Sequence, residues 1–267
     1  MGKKGKAPAP AAGAGAFPKK SQFGQNMLEF LTMQLVILAA GRGTRMKKLT
    51  ENMPKPLLSI LGNNLLERKL SILPPEIDEV IIVTGYLGDK IKAYFGDNFA
   101  GKRIKYVEQK ELLGTMIALK QAESLLHDRF MVMMGDDIYS KEVIVACLKH
   151  PWAVLVKRME GKGRGALVQI DNKKHITEIV EGTELDKGML NNAGLYVLHT
   201  DIFKYPLVQI PSGEFGLPQT LVKAIKDFEV SVVETTKGWF QISSPEDIEE
   251  VEKILKKKQK ATKAKEA

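Results

Sequence analysis

The sequence predicts an α/β fold: a Rossmann-like, mixed but mostly parallel sheet flanked by helices, in a single domain. Three observations carry this expectation. Short apolar runs alternate with helical patterns through the first half of the chain, which argues for βαβ units. Strand-like runs then follow one another with little helix between them, which implies an antiparallel or mixed extension of the same sheet. A chain of 267 residues, 44% of them hydrophobic, can bury one large core, and no internal repeat or linker interrupts its body.

Residues 1–32 open with Gly, Ala, Pro and Lys and show no sustained apolar periodicity before a short patch at 27–31. They are expected to be a flexible extension or an expression-derived leader, with Met33 a natural start. Residues 33–252 then form the domain and 253–267 a basic tail. Within the domain, LVILAA (35–40), EVIIVTGY (79–86), RIKYVEQ (103–109) and RFMVMMGD (129–136) are the apolar runs of the first half. Helical patterns separate them over 63–73, 89–95 and 115–126. AVLVKRM (153–159), GALVQI (165–170), HITEIVE (175–181) and AGLYVL (193–198) are the strand-like runs of the second half. Two helices close the chain, one over 216–227 and one starting at Ser244, where Ser-Pro-Glu-Asp offers a cap, a first-turn proline and acids at the positive helix end.

The net charge of +8 lies in the ends of the chain. Residues 1–20 carry five Lys and no acid, and residues 253–267 carry seven Lys and one Glu, which leaves the body near −3. The body is therefore no basic surface, and neither nucleic acid nor membrane is expected as a partner. Cys147 is the single cysteine and lies in an apolar stretch, so it is read as a buried inert thiol in a reducing compartment. No apolar run approaches the roughly 20 residues of a membrane span, and no charged-then-apolar leader opens the chain. A soluble, cytoplasmic protein is expected, with the assembly of identical subunits left open.

Ligands of an open α/β sheet bind beyond the carboxyl ends of the strands. After the first strand the chain reads Ala39-Ala40-Gly41-Arg42-Gly43-Thr44-Arg45. These small residues let backbone N–H groups approach a phosphate chain, and a guanidinium follows them. A Rossmann fingerprint would need glycine where Met46 stands, and a P-loop would need Gly-Lys-Ser/Thr. Nine residues beyond Arg45 comes Pro54-Lys55-Pro56-Leu57, whose prolines disfavour helix and predict Lys55 in an extended segment.

Together these residues resemble the signature of the nucleotidylyltransferases that make nucleotide sugars, L-A-A-G-x-G-T-R-[L/M] followed by L-T and P-K-P-L. Lys48 stands where many members have proline. The resemblance extends over 34–252 and implies the fold given above, with Leu38, Ala39, Ala40, Gly41, Gly43 and Thr44 on the nucleotide and Arg45 and Lys55 catalytic. Gln109, Gly114 and Thr115 resemble the Q-x4-G-T element that contacts the base. Asp136, in Gly135-Asp136, resembles the element that binds Mg²⁺. Gly165, Glu181 and Asn192 match positions that contact the sugar. A lysine implied after Glu181 is here Gly182, and the aspartate of W-x-D, implied as the second metal ligand, is Gln241. An amide oxygen can ligate Mg²⁺ but brings no charge, with Asp137 or substrate oxygens left to compensate.

The implied reaction is attack by a sugar-1-phosphate on the α-phosphorus of a nucleoside triphosphate, with UTP or dTTP expected and pyrophosphate released. A phosphate monoester has its second pKa near 6 and is largely ionised at neutral pH, so no general base is required. The four scattered histidines fit that chemistry. Gln241 and Gly182 leave open a cytidylyltransferase acting on phosphocholine and a non-catalytic homologue that binds nucleotide sugars. Dinucleotide redox chemistry is disfavoured by Met46 and by the Pro-Lys-Pro segment.

Overall fold

The apolar run after residue 32 forms β1 (Met33–Ala39), and six of its seven residues are buried. Successive side chains of a strand point to opposite faces, so a run buried on both needs cover on each side. Leu35, Ile37 and Ala39 enter one core with Leu66, Leu70 and Ile91, whereas Val36 enters a second with Met116, Leu119 and Leu221. Each fully buried aliphatic side chain contributes about 1.5–3 kcal/mol relative to exposure.

The computed structural model describes residues 33–266, with side chains through Lys260. The extension expected at 1–32 lies outside the described residues. After β1 come β2 (Ser59–Ile60), β3 (Asn63–Asn64), α1 (Leu65–Leu70), β4 (Ile77–Thr84), α2 (Gly88–Phe95), β5 (Asn98–Phe99), β6 (Lys102–Glu108), α3 (Thr115–Lys120), β7 (Arg129–Met134) and β8 (Ile138–Tyr139). The second half adds α4 (Lys141–Leu148), β9 (Ala153–Arg158), β10 (Gly163–Ile170), β11 (Ile176–Leu185), β12 (Leu190–His199), α5 (Leu217–Ala224), β13 (Ser231–Thr235), β14 (Trp239–Phe240) and α6 (Pro245–Glu266).

One ten-stranded sheet runs β11-β10-β12-β7-β1-β4-β6-β5, with β9 also pairing β12 and β13 pairing β9. β7, β1, β4 and β6 are parallel, and β12 is antiparallel to β7, so the mixed, mostly parallel core is as expected. From β1 the chain moves outward to β4 and β6, then returns to β7 on the other side of β1. Strand order therefore reverses between β1 and β7, the crevice where open α/β sheets bind ligands. The two strand ends are drawn together there, because Gly135 N–H donates to the Leu38 carbonyl at 2.8 Å. A Cβ on Gly135 would meet that oxygen at 2.7 Å, so only glycine permits the approach.

β12 forks the sheet. Its Leu195–His199 half pairs with β7, Asn191 pairs with Leu167 of β10, and β9 pairs along β12 with a register shift between Asn192 and Tyr196. Gly194, inside that irregularity, takes φ +66°. Asn191 and Asn192 lie in the half of β12 that has left β7.

Local chemistry sets the element ends. Asn64 and Glu67 form a reciprocal capping box that starts α1. At α6 the Asp247 carboxylate accepts from Ser243 N–H and Ser244 N–H at 2.6 and 2.8 Å, completing the cap that Ser-Pro-Glu-Asp predicts. The helix over 115–126 is shorter than expected. After Lys120 the bonds tighten to Gln121 N to Ala118 O and Ala122 N to Leu119 O, and a single 3-10 turn follows at Glu123–Leu125. Besides the two-residue strands, α4 and β13 were not anticipated. The Val-Ile-Val-Ala-Cys-Leu stretch is helical, buried through Val143, Ile144 and Cys147, and burial pushes the Cys147 thiol up to about 12. β13 adds to β9 in parallel. Helix α6 continues unbroken from Pro245 to Glu266, so the Lys-rich segment is its distal half. Among the described residues no helix is long and apolar enough to cross a membrane.

Candidate active site

Two cavities meet at the β1/β7 crevice. The smaller, about 240 Å³, is lined by Leu38, Ala39, Gly41, Gly43, Thr44, Arg45, Lys55 and Asp136 among others. The larger, about 990 Å³, opens toward the antiparallel strands and is lined by Thr115, Gly165, Glu181, Asn192 and Gln241 among others. Arg45 and Asp136 line both. The crevice thus gathers most of the sequence-predicted site residues. Ala40, Gln109 and Gly114 line neither cavity.

Lys55 sits at the centre. It opens a one-turn 3-10 helix, Lys55–Leu57, rather than the extended segment expected before Pro56. The turn needs only the N–H groups of Leu57 and Leu58, which bond Pro54 O and Lys55 O, so the missing N–H of Pro56 costs nothing. The lysine stem is buried, and Gly43, at φ +64°, makes room for it: a Cβ there would stand 3.0 Å from Lys55 Cβ. Lys55 Nζ donates to Asp136 Oδ2 at 2.6 Å, joining a loop after β1 to the second residue beyond β7 across 81 positions. Thr50 Oγ1 braces the glycine loop by donating to Gly43 O at 3.0 Å.

Beneath this pair lies a buried charged layer. Asp137 is 4% exposed, and its Oδ2 accepts from Trp239 Nε1 at 3.0 Å and from the Tyr139 hydroxyl at 3.4 Å. Burial, with the Asp136 charge added, pushes the Asp137 carboxyl up to about 7. Asp137 is therefore committed to its buried partners, and Asp136 is the carboxylate that lines both cavities. Lys69 of α1 is 1% exposed, donates to Gly135 O at 2.9 Å, and is drawn down to about 8 by burial against the opposing pull of the two aspartates. Its spacing from Leu65 and Leu66 places it in the apolar stripe of α1, the one sequence signal that it is not a solvated lysine. Lys69→Met is expected to destabilise the fold by about 1–3 kcal/mol, because a buried carbonyl loses its donor. For a domain of this size that lowers Tm by roughly 2–4 °C per kcal/mol. An unchanged thermal transition would contradict the buried-donor role.

Among the described residues no three His, Cys, Asp or Glu side chains converge on one point. Asp136 and Gln241 face the same cleft, and one carboxylate with one amide oxygen suits Mg²⁺, which keeps several waters and completes its octahedron with substrate phosphates.

On the opposite wall, Asn191 Oδ1 accepts from Ala166 N–H at 3.0 Å, and any Cβ on Gly165 would run into that carboxamide. Asn192 donates to the buried Tyr196 hydroxyl at 2.7 Å and accepts from Gly194 N–H at 3.1 Å. Between β10 and β11, Gly165 faces Thr183 while Leu167 faces Val180, so Glu181 and Gly182 share one partner position in a bulge. Gly182 has φ +70° there, a conformation that disfavours the side chain implied at this place. Gln109 is 5% exposed and its amide donates to Gly114 O at 3.3 Å. Gly114, at φ +102°, lies against the Phe215 backbone, so its glycine is required by packing. Thr115 Oγ1 accepts from Leu217 N–H, tying α3 to α5. Sequence reasoning missed Lys69, and it missed Lys157 and Arg164, which both line the larger cavity. Asp247 and Glu250 of α6 complete its rim.

A sequence model of the family described as nucleotidyl transferase matches residues 34–258. The chain is similar to "Bifunctional protein GlmU" of Methanocaldococcus jannaschii, with 32% identity over 227 residues, 84% of this chain and 54% of the relative. It thus spans about half the length of the first curated relatives it matches. It is also similar to D-glycero-alpha-D-manno-heptose 1-phosphate guanylyltransferase of Campylobacter jejuni, 30% identical over 80% of this chain and 96% of the relative. A UDP-glucose pyrophosphorylase solved with UDP-glucose shares the fold, with a TM-score of 0.75 at 20% identity over 85% of this chain and 99% of that one.

Proposed function

The chain belongs to the nucleotidyl transferase family, and from that membership we propose that it transfers a nucleotidyl group from a nucleoside triphosphate to a sugar-1-phosphate, releasing pyrophosphate. One observation carries the reading. The Lys55–Asp136 pair, with Arg45 beside it, stands where a small cavity at the strand-order reversal opens into a larger cleft. That geometry suits two substrates whose phosphates meet at one point.

The attacking oxygen belongs to the acceptor's phosphate, and pyrophosphate leaves from the α-phosphorus. The acceptor is already ionised near neutral pH, so the protein's task is to align two anions and offset charge on the transferring group. None of the four histidines lines either cavity, as that chemistry permits. Leu38, Ala39, Ala40, Gly41, Gly43 and Thr44 would cradle the triphosphate, with Lys55 and Arg45 supplying fixed positive charge. Asp136 and Gln241 would hold Mg²⁺, which when bound neutralises phosphate oxygens. The resemblance assigns the base to Gln109 and Gly114, which stand outside both cavities next to Thr115 of the larger one, while Glu181 and Asn192 would meet the sugar hydroxyls, with Gly165 leaving room beside them. UTP or dTTP is the proposed donor, since a glutamine amide can pair with a pyrimidine edge.

The test is a matrix of UTP, dTTP, CTP, GTP and ATP against glucose-1-phosphate, N-acetylglucosamine-1-phosphate and mannose-1-phosphate with Mg²⁺, reading pyrophosphate. Release with UTP or dTTP supports the full reading. Release with GTP alone reassigns the base, and none with any pair overturns the reaction.

A further inference from the structure

Besides Arg45, two cations of the larger cleft form no ion pair with a carboxylate among the described residues. Lys157 and Arg164 both line it, together with five carboxyl side chains, yet among the described residues neither forms an ion pair. Acids stand on the neighbouring strands: Glu184 faces Arg164 across the β10–β11 ladder, and Glu234 of β13, beside β9, is bound through both oxygens by Arg158 at 2.6 and 2.7 Å. Arg164 turns instead toward the bulge. Its Nε donates to Gly182 O at 3.3 Å, and its Nη2 would lie 3.8 Å from a Cβ at Gly182, so the absent side chain leaves space beside the guanidinium. The Lys157 ammonium stands 5.8 Å from the centre of the Trp239 ring, which steers it along the same cleft wall. An arginine fork with free N–H groups matches the oxygens of a phosphate monoester, and a lysine beside it adds a point charge.

We propose that Arg164, assisted by Lys157, grips the phosphate of the acceptor and thereby makes the cleft selective for phosphorylated sugars. The inference rests on the proposed reaction and adds to it the residues that recognise the second substrate. The Arg164 guanidinium is fixed at one end by Gly182 O and open at the other, so it can hold the acceptor phosphate while the Asn191 and Asn192 wall meets the sugar. Five carboxyl side chains line the same cleft, so its cations set where the phosphate settles.

The test uses the full chain and the acceptor panel named above, with the parent free sugars as controls. Arg164→Ala should raise KM for the sugar-1-phosphate at least tenfold and leave KM for the triphosphate within twofold. Arg164→Lys should recover part of the loss, and Lys157→Met should raise the acceptor KM less than Arg164→Ala does. An unchanged acceptor KM in Arg164→Ala overturns the proposal, as does an equal rise in both KM values, which would mark a merely structural role. If the wild-type chain releases no pyrophosphate, the proposed reaction fails and the grip is judged by calorimetry alone. Glucose-1-phosphate should then bind at least tenfold more tightly than glucose, and Arg164→Ala should abolish that difference; equal binding of the two by the wild type overturns the grip.

Discussion

Lys55→Ala is expected to lower turnover by about tenfold to a hundredfold, or about 1.4–2.7 kcal/mol of transition-state stabilisation, with the fold intact. The ammonium is carried on a buried stem and aimed at the point shared by the two cavities, 2.6 Å from Asp136 Oδ2. Fixed charge of that kind acts without reorganising as charge develops on the transferring group. The structural loss should be small. The Asp136 side chain is 39% exposed, so its carboxylate stays solvated without Lys55, and a pair so open to water contributes about 1 kcal/mol or less. Pyrophosphate release measured beside a thermal melt separates the two effects. Wild-type release would remove Lys55 from the mechanism, and a melt that collapses would make it a structural residue.

The second large effect belongs to Asp136. Asp136→Asn keeps an oxygen that can accept from Lys55 but removes the one carboxylate that faces both cavities. Half-saturation by Mg²⁺ should rise by at least the ~10–100-fold seen when outer-shell partners of metal sites are lost. Gln241→Asp should move it the other way, since a second carboxylate adds charge where an amide now stands. The neighbour reports the same change. Asp137 is held up by burial and by the Asp136 charge, so neutralising Asp136 should lower its titration from about 7 while burial keeps it above the ordinary carboxylate value. An unchanged Mg²⁺ titration in Asp136→Asn would end the metal assignment.

Much of the fold was legible because its signals are local. Parallel strands buried on both faces read as unbroken apolar runs, as at β1 and β7, and the Ser244–Asp247 cap announces its helix within four residues. α4 hid because its Val and Ile residues carry strand propensity, which the burial of Val143, Ile144 and Cys147 against the sheet overrides. The extended reading of Lys55 failed for a comparable reason. Proline restricts torsions, but a single 3-10 turn uses neither of the N–H groups that proline lacks.

The segment over 36–58 by itself supplied most of the lining of the smaller cavity, because a glycine loop, an arginine and a proline-framed lysine lie within one short stretch of chain. What only the tertiary structure decided is the charge state and reach of groups that meet from far apart. Asp137 is committed to Trp239, 102 residues away, and Lys69 is buried under Gly135 rather than solvated. Among the described residues Arg164 forms no ion pair, and it turns to the Gly182 carbonyl in a bulge where no side chain stands. Desolvation and pairing depend on which surfaces the fold brings together, and no spacing along the chain encodes them.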